Sequence, residues 1–121
     1  MERYYYKAKV LSVYDADTCT LLIDVGFNMF LKEKVRFMGI DTPEIRTRNP
    51  KEKALGLEAR DWVREQILKK DVMFVAHKEG KFGRYLVDIF MGDTTVTINN
   101  LLIEKGYAKI YNGGKREKWF A

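Results

Sequence analysis

Through the first third of the chain, apolar and polar residues alternate at the period of a β-strand. Tyr4, Tyr6, Ala8 and Val10 begin the pattern, and Leu11 and Val13 carry it on in the opposite phase, which predicts a bulge or a bend. Asp15-Ala16-Asp17 reads as a turn. Cys19 to Val25 is a second strand, with Leu21, Ile23 and Val25 on one face, and Gly26 interrupts it. Met29 to Met38 is a third, with Val35 and Phe37 inward and Arg36 on the opposite face. A polar, basic loop follows, carrying Arg46, Arg48, Asn49, Pro50, Lys51 and Lys53.

From about Leu55 to Lys69 the period becomes helical. Leu55, Ala59, Trp62, Val63 and Ile67 share one face, and Arg60, Asp61, Arg64 and Glu65 lie largely outside it. Val72, Phe74 and Ala76 alternate as a fourth strand. Lys78 to Gly83 is a charged loop, and Leu86 to Met91 is a fifth strand. Thr97 suits the N-cap of a short helix, Ile98 to Lys105, closed by Gly106. Three strands, a helix, two strands and a helix describe an α+β, mainly β fold: a five-stranded oligonucleotide-binding (OB-fold) barrel with two helices. A generic α+β sheet gives much the same pattern. With 121 residues the chain reads as one domain, 1–121.

Composition narrows the chemistry. Cys19 and His77 each stand alone, which excludes an internal disulfide and a cysteine or histidine zinc cluster. A metal bound here is held by oxygen, favouring calcium or magnesium. The net charge of +5 suits a polyanionic partner. No apolar run approaches the ~20 residues that cross a bilayer, so no membrane association is expected. Residues Met1 to Lys7 lack the apolar core and cleavage site of a signal peptide. The chain as written therefore reads as cytoplasmic, with a mature secreted fragment as the alternative.

The densest candidate chemistry is Asp41-Thr42-Pro43-Glu44 at the exit of the third strand, with Arg36 just before it. Asp17 and Asp41 both sit at strand ends. An aspartate beside a threonine at a turn ordinarily serves as a local cap. Two such carboxylates, a main-chain carbonyl and water would also satisfy calcium, and Pro43 holds Thr42 extended so that its carbonyl is presented rigidly. Glu44 is either an exposed loop acid, paired with Arg46 or Arg48, or a base acting on a metal-held water. Arg36 and Arg84 are either solvated or act as two forks on one phosphate. Together these residues suggest metal-assisted phosphoryl chemistry.

Four segments, Asp15-Ala16-Asp17-Thr18, Arg36 to Glu44, Gly56-Leu57-Glu58-Ala59 and Lys81-Phe82-Gly83-Arg84, resemble the thermonuclease (staphylococcal nuclease-like) family. The likeness runs in order from about Val10 to Lys109 and takes in Asn99, Leu102 and Gly106-Tyr107-Ala108-Lys109. It implies the five-stranded OB-fold barrel and calcium-dependent hydrolysis of DNA and RNA to 3′-phosphate ends; single strands are expected to be preferred, because an aromatic pocket reads splayed bases more easily than stacked ones. It also implies calcium on Asp17, Asp41 and the Thr42 carbonyl, Glu44 as general base, and Arg36 and Arg84 on the scissile phosphate. Lys81, Phe82 and Tyr111 would contact substrate. No obligate protein partner is implied.

The chain departs from the family pattern in four places, one being that the tyrosine pair flanking the base is only loosely represented, by Tyr111. In the other three, Ala16 stands where glycine is common, Phe82 replaces a frequent tyrosine, and the final long helix of the staphylococcal enzyme is missing. A left-handed backbone at Ala16 would strain the Asp17 turn. The basic segments around Arg46 to Lys53 and Lys78 to Lys81, and the Lys115-Arg116-Lys118 tail, would draw a strand in, with salt-sensitive binding. The rival readings are a catalytically weak or inactive module of the same fold that binds single-stranded nucleic acid, and a barrel that binds a protein.

Overall fold

The structure, a computed structural model, describes residues 4–79 and 84–120. The predicted substrate residues Lys81 and Phe82, with Gly83, lie outside the described residues. The elements in chain order are β1 (Tyr5–Asp15), β2 (Thr18–Asp24), β3 (Phe30–Phe37), β4 (Ile40–Asp41), α1 (Pro50–Ile67), β5 (Asp71–Glu79), β6 (Tyr85–Phe90), α2 (Ile98–Glu104) and β7 (Lys109–Ile110). Strands β1-β2-β3-β6-β5 close into a barrel, with β3 and β6 parallel and the other pairs antiparallel. The chain therefore has a mainly β OB-type barrel with two helices. Closure removes the unpaired strand edges that a small open sheet would expose.

The phase change expected at Leu11 is a bulge. The β1–β2 register shifts between Val10 and Ser12, so that Val10 and then Val13 are buried. From α1, Arg64 donates to the Val13 carbonyl through Nε at 3.1 Å and Nη2 at 2.9 Å, tying the helix to the bulged strand. Strand side chains such as Leu21, Val35, Phe37, Phe74, Val87 and Ile89 fill the barrel. Ala59, Val63 and Ile67 of α1, and Ile98 and Leu102 of α2, complete the core.

Helix α1 begins at Pro50, five positions before the expected Leu55. Asn49 Oδ1 accepts from Lys51 N at 3.0 Å and Glu52 N at 3.2 Å, and Pro50 takes the first helical position, where its missing N–H is no loss. Pro50, Lys51 and Lys53 are thus helical rather than loop residues. The helix stops at Ile67 instead of Lys69, because Leu68 is extended and Lys69 has φ +63°. There the chain returns to β1, with Lys69 N donating to the Val10 carbonyl at 2.8 Å.

Strand β3 is one residue shorter at each end than expected, and β2 keeps its expected length but starts and ends one position earlier. Val25 and Met29 leave the ladder for a hairpin turn in which Phe27 and Asn28 are left-handed, and Val25 is exposed rather than facing inward. Thr97 caps α2 by accepting from Asn100 N at 3.2 Å, and Gly106 (φ +80°) follows the helix, both as expected. The short β4–β7 pair was not anticipated.

Candidate active site

Four parts of the fold converge beside β3. The Ala16-Asp17 turn joins β1 to β2, and the Asp17 carbonyl accepts from Phe37 N at 2.8 Å, which fastens the turn to β3. Ala16 is buried and has no positive φ, so the turn accepts its Cβ without the strain considered above. On β3, Arg36 lies opposite Thr18, so its side chain emerges beside the turn. Gly39 (φ +78°) then reverses the chain into β4, and Asp41 pairs with Lys109 of β7.

Beyond β4, the Thr42-Pro43-Glu44 segment lies against α1 at Gly56. A Cβ added there would come within 2.8 Å of the Pro43 carbonyl oxygen and 3.0 Å of the Glu44 one. Glycine at this position lets the loop touch the helix backbone. From the first turn of α1, Glu52 Oε2 accepts from Glu44 N at 2.8 Å. Asn99 braces the strand ends from α2. Its Nδ2 donates to the Met38 and Val87 carbonyls, each at 3.0 Å, and its Oδ1 accepts from Ile89 N at 3.3 Å.

Asp17, Arg36, Asp41, Thr42, Glu44 and Arg84 all line one cleft of about 400 Å³. Arginine and lysine outnumber carboxylates along its walls, so the acidic cup of Asp17, Asp41 and Glu44 lies in a cleft of net positive charge. Arg36 Nη2 stands 3.6 Å from Asp17 Oδ2 and 3.9 Å from Asp41 Oδ1, so the two buried carboxylates face a common nitrogen. Burial pushes the Asp17 pKa up, against the opposing pull of Arg36 and the hydrogen bond from Thr18. A groove of about 600 Å³ lies elsewhere, along Lys7, Lys9 and Phe30, and holds none of the predicted residues.

The donor set suits a hard cation, because it is all oxygen. Among the described residues no three His, Cys, Asp or Glu side chains converge as a metal-holding group. The oxygens lining the cleft come from the carboxylates of Asp15, Asp17, Asp41 and Glu44 and from the Thr42 segment. A cation does meet these oxygens: the Arg116 guanidinium. Its Nε is 2.9 Å from Asp41 Oδ1, Nη1 is 2.6 Å from Glu44 Oε1, and Nη2 is 3.3 Å from the Thr42 carbonyl. Trp119 Nε1 donates to Asp41 Oδ2 at 3.2 Å.

Glu44 therefore pairs with Arg116 and not with Arg46 or Arg48. For Arg116, burial works to lower the pKa, but the bond to Asp41 and the charges of Asp41, Glu44 and Glu52 outweigh it and raise the value. Tyr111 lies beside Arg36, whose Cζ is 5.8 Å from the ring centre. The Tyr111 hydroxyl donates to the Gly114 carbonyl at 2.7 Å, turning the chain back toward the cup.

Sequence reasoning missed Arg116, Trp119 and Glu52. Nothing in spacing links Arg116 to an acid 75 positions away. The Asn49-Pro50 start signal was available, and it would have put Glu52 in a first helical turn.

Comparison with known proteins gives a consistent result. The model of the staphylococcal nuclease homologue family matches residues 34–119. An uncharacterized protein of Methanocaldococcus jannaschii is 32% identical over 129 aligned positions, which cover 88% of this chain and 60% of that protein. An uncharacterized protein of Bacillus anthracis is 35% identical over 107 positions, covering 86% of this chain and 47% of that protein. The chain spans about half the length of the curated relatives it matches. With a nuclease-type barrel and a family match over most of its length, the chain belongs to the staphylococcal nuclease homologues.

Proposed function

We propose that this chain is a calcium-dependent phosphodiesterase that hydrolyses DNA and RNA, preferring single strands and leaving 3′-phosphate ends. One observation carries the reading: residues from the Asp17 turn, β3 and the Asp41–Glu44 segment, with Arg84 just before β6, line a single cleft. None of the four segments is adjacent in sequence to all the others, and each brings a group that phosphodiester hydrolysis uses.

Asp17, Asp41 and the Thr42 carbonyl would hold the calcium, which when bound supplies positive charge beside the phosphate and a ready water. Arg36 and Arg84 grip the phosphate oxygens and neutralise the charge that grows as water attacks phosphorus in line. Glu44 accepts the proton of that water. The bond to the 5′-oxygen breaks, the 5′-oxygen takes up a proton, and the phosphate remains on the 3′ side. Arg84 is assigned to the leaving oxygen, and Lys81, Phe82 and Tyr111 to flanking substrate. Base faces turned outward by a single strand suit such aromatic contacts.

The test is a digestion of plasmid and single-stranded substrates with calcium or with a chelator. Cleavage only with calcium, with 3′-phosphate ends, is the expected result. A gel shift without cleavage would replace the enzyme with the binding module.

A further inference from the structure

The outer face of β3 carries Phe30, Lys32, Lys34 and Arg36 at alternate positions, opposite Asp24, Leu22, Thr20 and Thr18 of β2. The other face carries Val35 and Phe37 into the core, while Phe30, Lys32 and Lys34 are exposed. Successive side chains on one strand face stand ~7 Å apart. Among the described residues no carboxylate pairs with Lys32 or Lys34. Lys34 Nζ lies 4.2 Å from the centre of the exposed Tyr14 ring, and both residues line the same cleft as Arg36.

We infer that this row is a track for an extended single-stranded nucleic acid. With one phosphate at Arg36, its neighbours fall on Lys34 and Lys32, and Phe30 stacks on a base beyond. The track rests on the proposed function. Its test uses the Glu44→Gln protein and a labelled oligothymidylate of roughly ten nucleotides, with anisotropy followed across salt concentrations. Adding Lys32→Ala and Lys34→Ala should weaken binding at least tenfold at low salt. Two lost phosphate contacts should also flatten the slope of log affinity against log salt by about 1.4. Lys105→Ala, at the far end of α2, should change neither. Unchanged affinity and slope in the double variant would overturn the track alone. No binding by the Glu44→Gln parent would overturn the functional reading with it.

A separate observation concerns the C-terminal segment. Arg116 and Trp119 together occupy both oxygens of Asp41, and Arg116 also takes the Thr42 carbonyl and Glu44. These are the oxygens proposed to bind calcium and accept the proton. A guanidinium and a divalent ion cannot share the same lone pairs, and like charges at that distance repel. The segment is held from outside by Lys109, whose Nζ donates to the Lys118 carbonyl at 2.8 Å and lies 4.6 Å from the Trp119 ring centre. Residues 112–118 are exposed and Trp119 and Phe120 are half-buried, with no fully buried side chain among residues 112–120 to oppose release.

The geometry points to mutual exclusion: Arg116 sits on the oxygens of Asp41, Thr42 and Glu44, and calcium binding there expels it. Calorimetry and tryptophan emission test this, again resting on the proposed site. Arg116→Ala should bind calcium about tenfold tighter than wild type, and Arg116→Gln provides the same test if the alanine variant folds poorly. Calcium should shift the emission of the wild type, and Trp119→Phe should abolish that shift. Equal calcium affinities with unmoved emission would overturn the exclusion and leave the site standing. Absence of calcium binding in every variant would overturn both.

Discussion

Replacing Gly56 by alanine tests the seating of the Asp41–Glu44 segment. Gly56 lies within α1, where alanine is favoured over glycine by ~1 kcal/mol. That gain requires room for a methyl group. The added Cβ would meet backbone on the other side, at 2.8 Å from the Pro43 oxygen, 3.0 Å from the Glu44 oxygen and 3.1 Å from the Glu44 carbon. Backbone cannot rotate away as a flexible side chain can, so the loop must move. Overpacking of this kind costs ~1–3 kcal/mol, which exceeds the propensity gain on average. The expected net loss is on the order of 1 kcal/mol, a fall in Tm of about 3–5 °C for a chain of this size. Calcium affinity should fall as well, because the Thr42 carbonyl rides on the displaced segment. Thermal melting and calorimetry check both, with Ala54→Gly at an exposed position of the same helix calibrating the propensity effect. If Gly56→Ala raises Tm by as much as Ala54→Gly lowers it, and leaves calcium affinity intact, the close approach is not a constraint.

Three further outcomes are expected. Glu44→Gln and Arg84→Ala should each reduce cleavage about a hundredfold or more while preserving the far-UV spectrum, and undiminished cleavage by either would refute their assignment. Asp17→Asn should raise the Tm of the metal-free protein at pH 7, because burial penalises the ionised side chain. The raised pKa means the native wild type takes a proton before the unfolded chain does. Its disadvantage against Asp17→Asn should therefore shrink as pH falls through that raised value, and a gap that widened on acidification would contradict the sign. Asn99→Leu strips partners from the Met38 carbonyl and Ile89 N–H and should cost about 2–4 kcal/mol in denaturant unfolding; a loss below ~0.5 kcal/mol would show them satisfied otherwise.

The barrel was legible because each of its five strands carries its own alternation, down to the slip at Leu11 that the β1 bulge explains. What escaped was set by capping and by distance. The start of α1 follows from one side chain, Asn49, accepting two backbone N–H groups, which hydrophobic periodicity does not register. The acids and arginines lining the cleft were nameable because Arg36 and Asp41 flank one short segment. Arg116 offered no such cue, since the β4–β7 pair and the Tyr111 turn that bring it back involve too few residues to leave a pattern. The basic tail read as a lure for a strand is instead partly engaged by the acids of the cup.

The placement of β7 has a practical consequence. All five barrel strands are contained in residues 5–90, whereas the partner of Asp41 is not reached until Lys109. A fragment ending between Glu104 and Lys109 retains every stave of the barrel and α2, and lacks the strand paired with Asp41. Circular dichroism or a cooperative melt would then report on architecture without testing the proposed calcium site, so truncations of this chain call for an ion-uptake measurement beside the spectra.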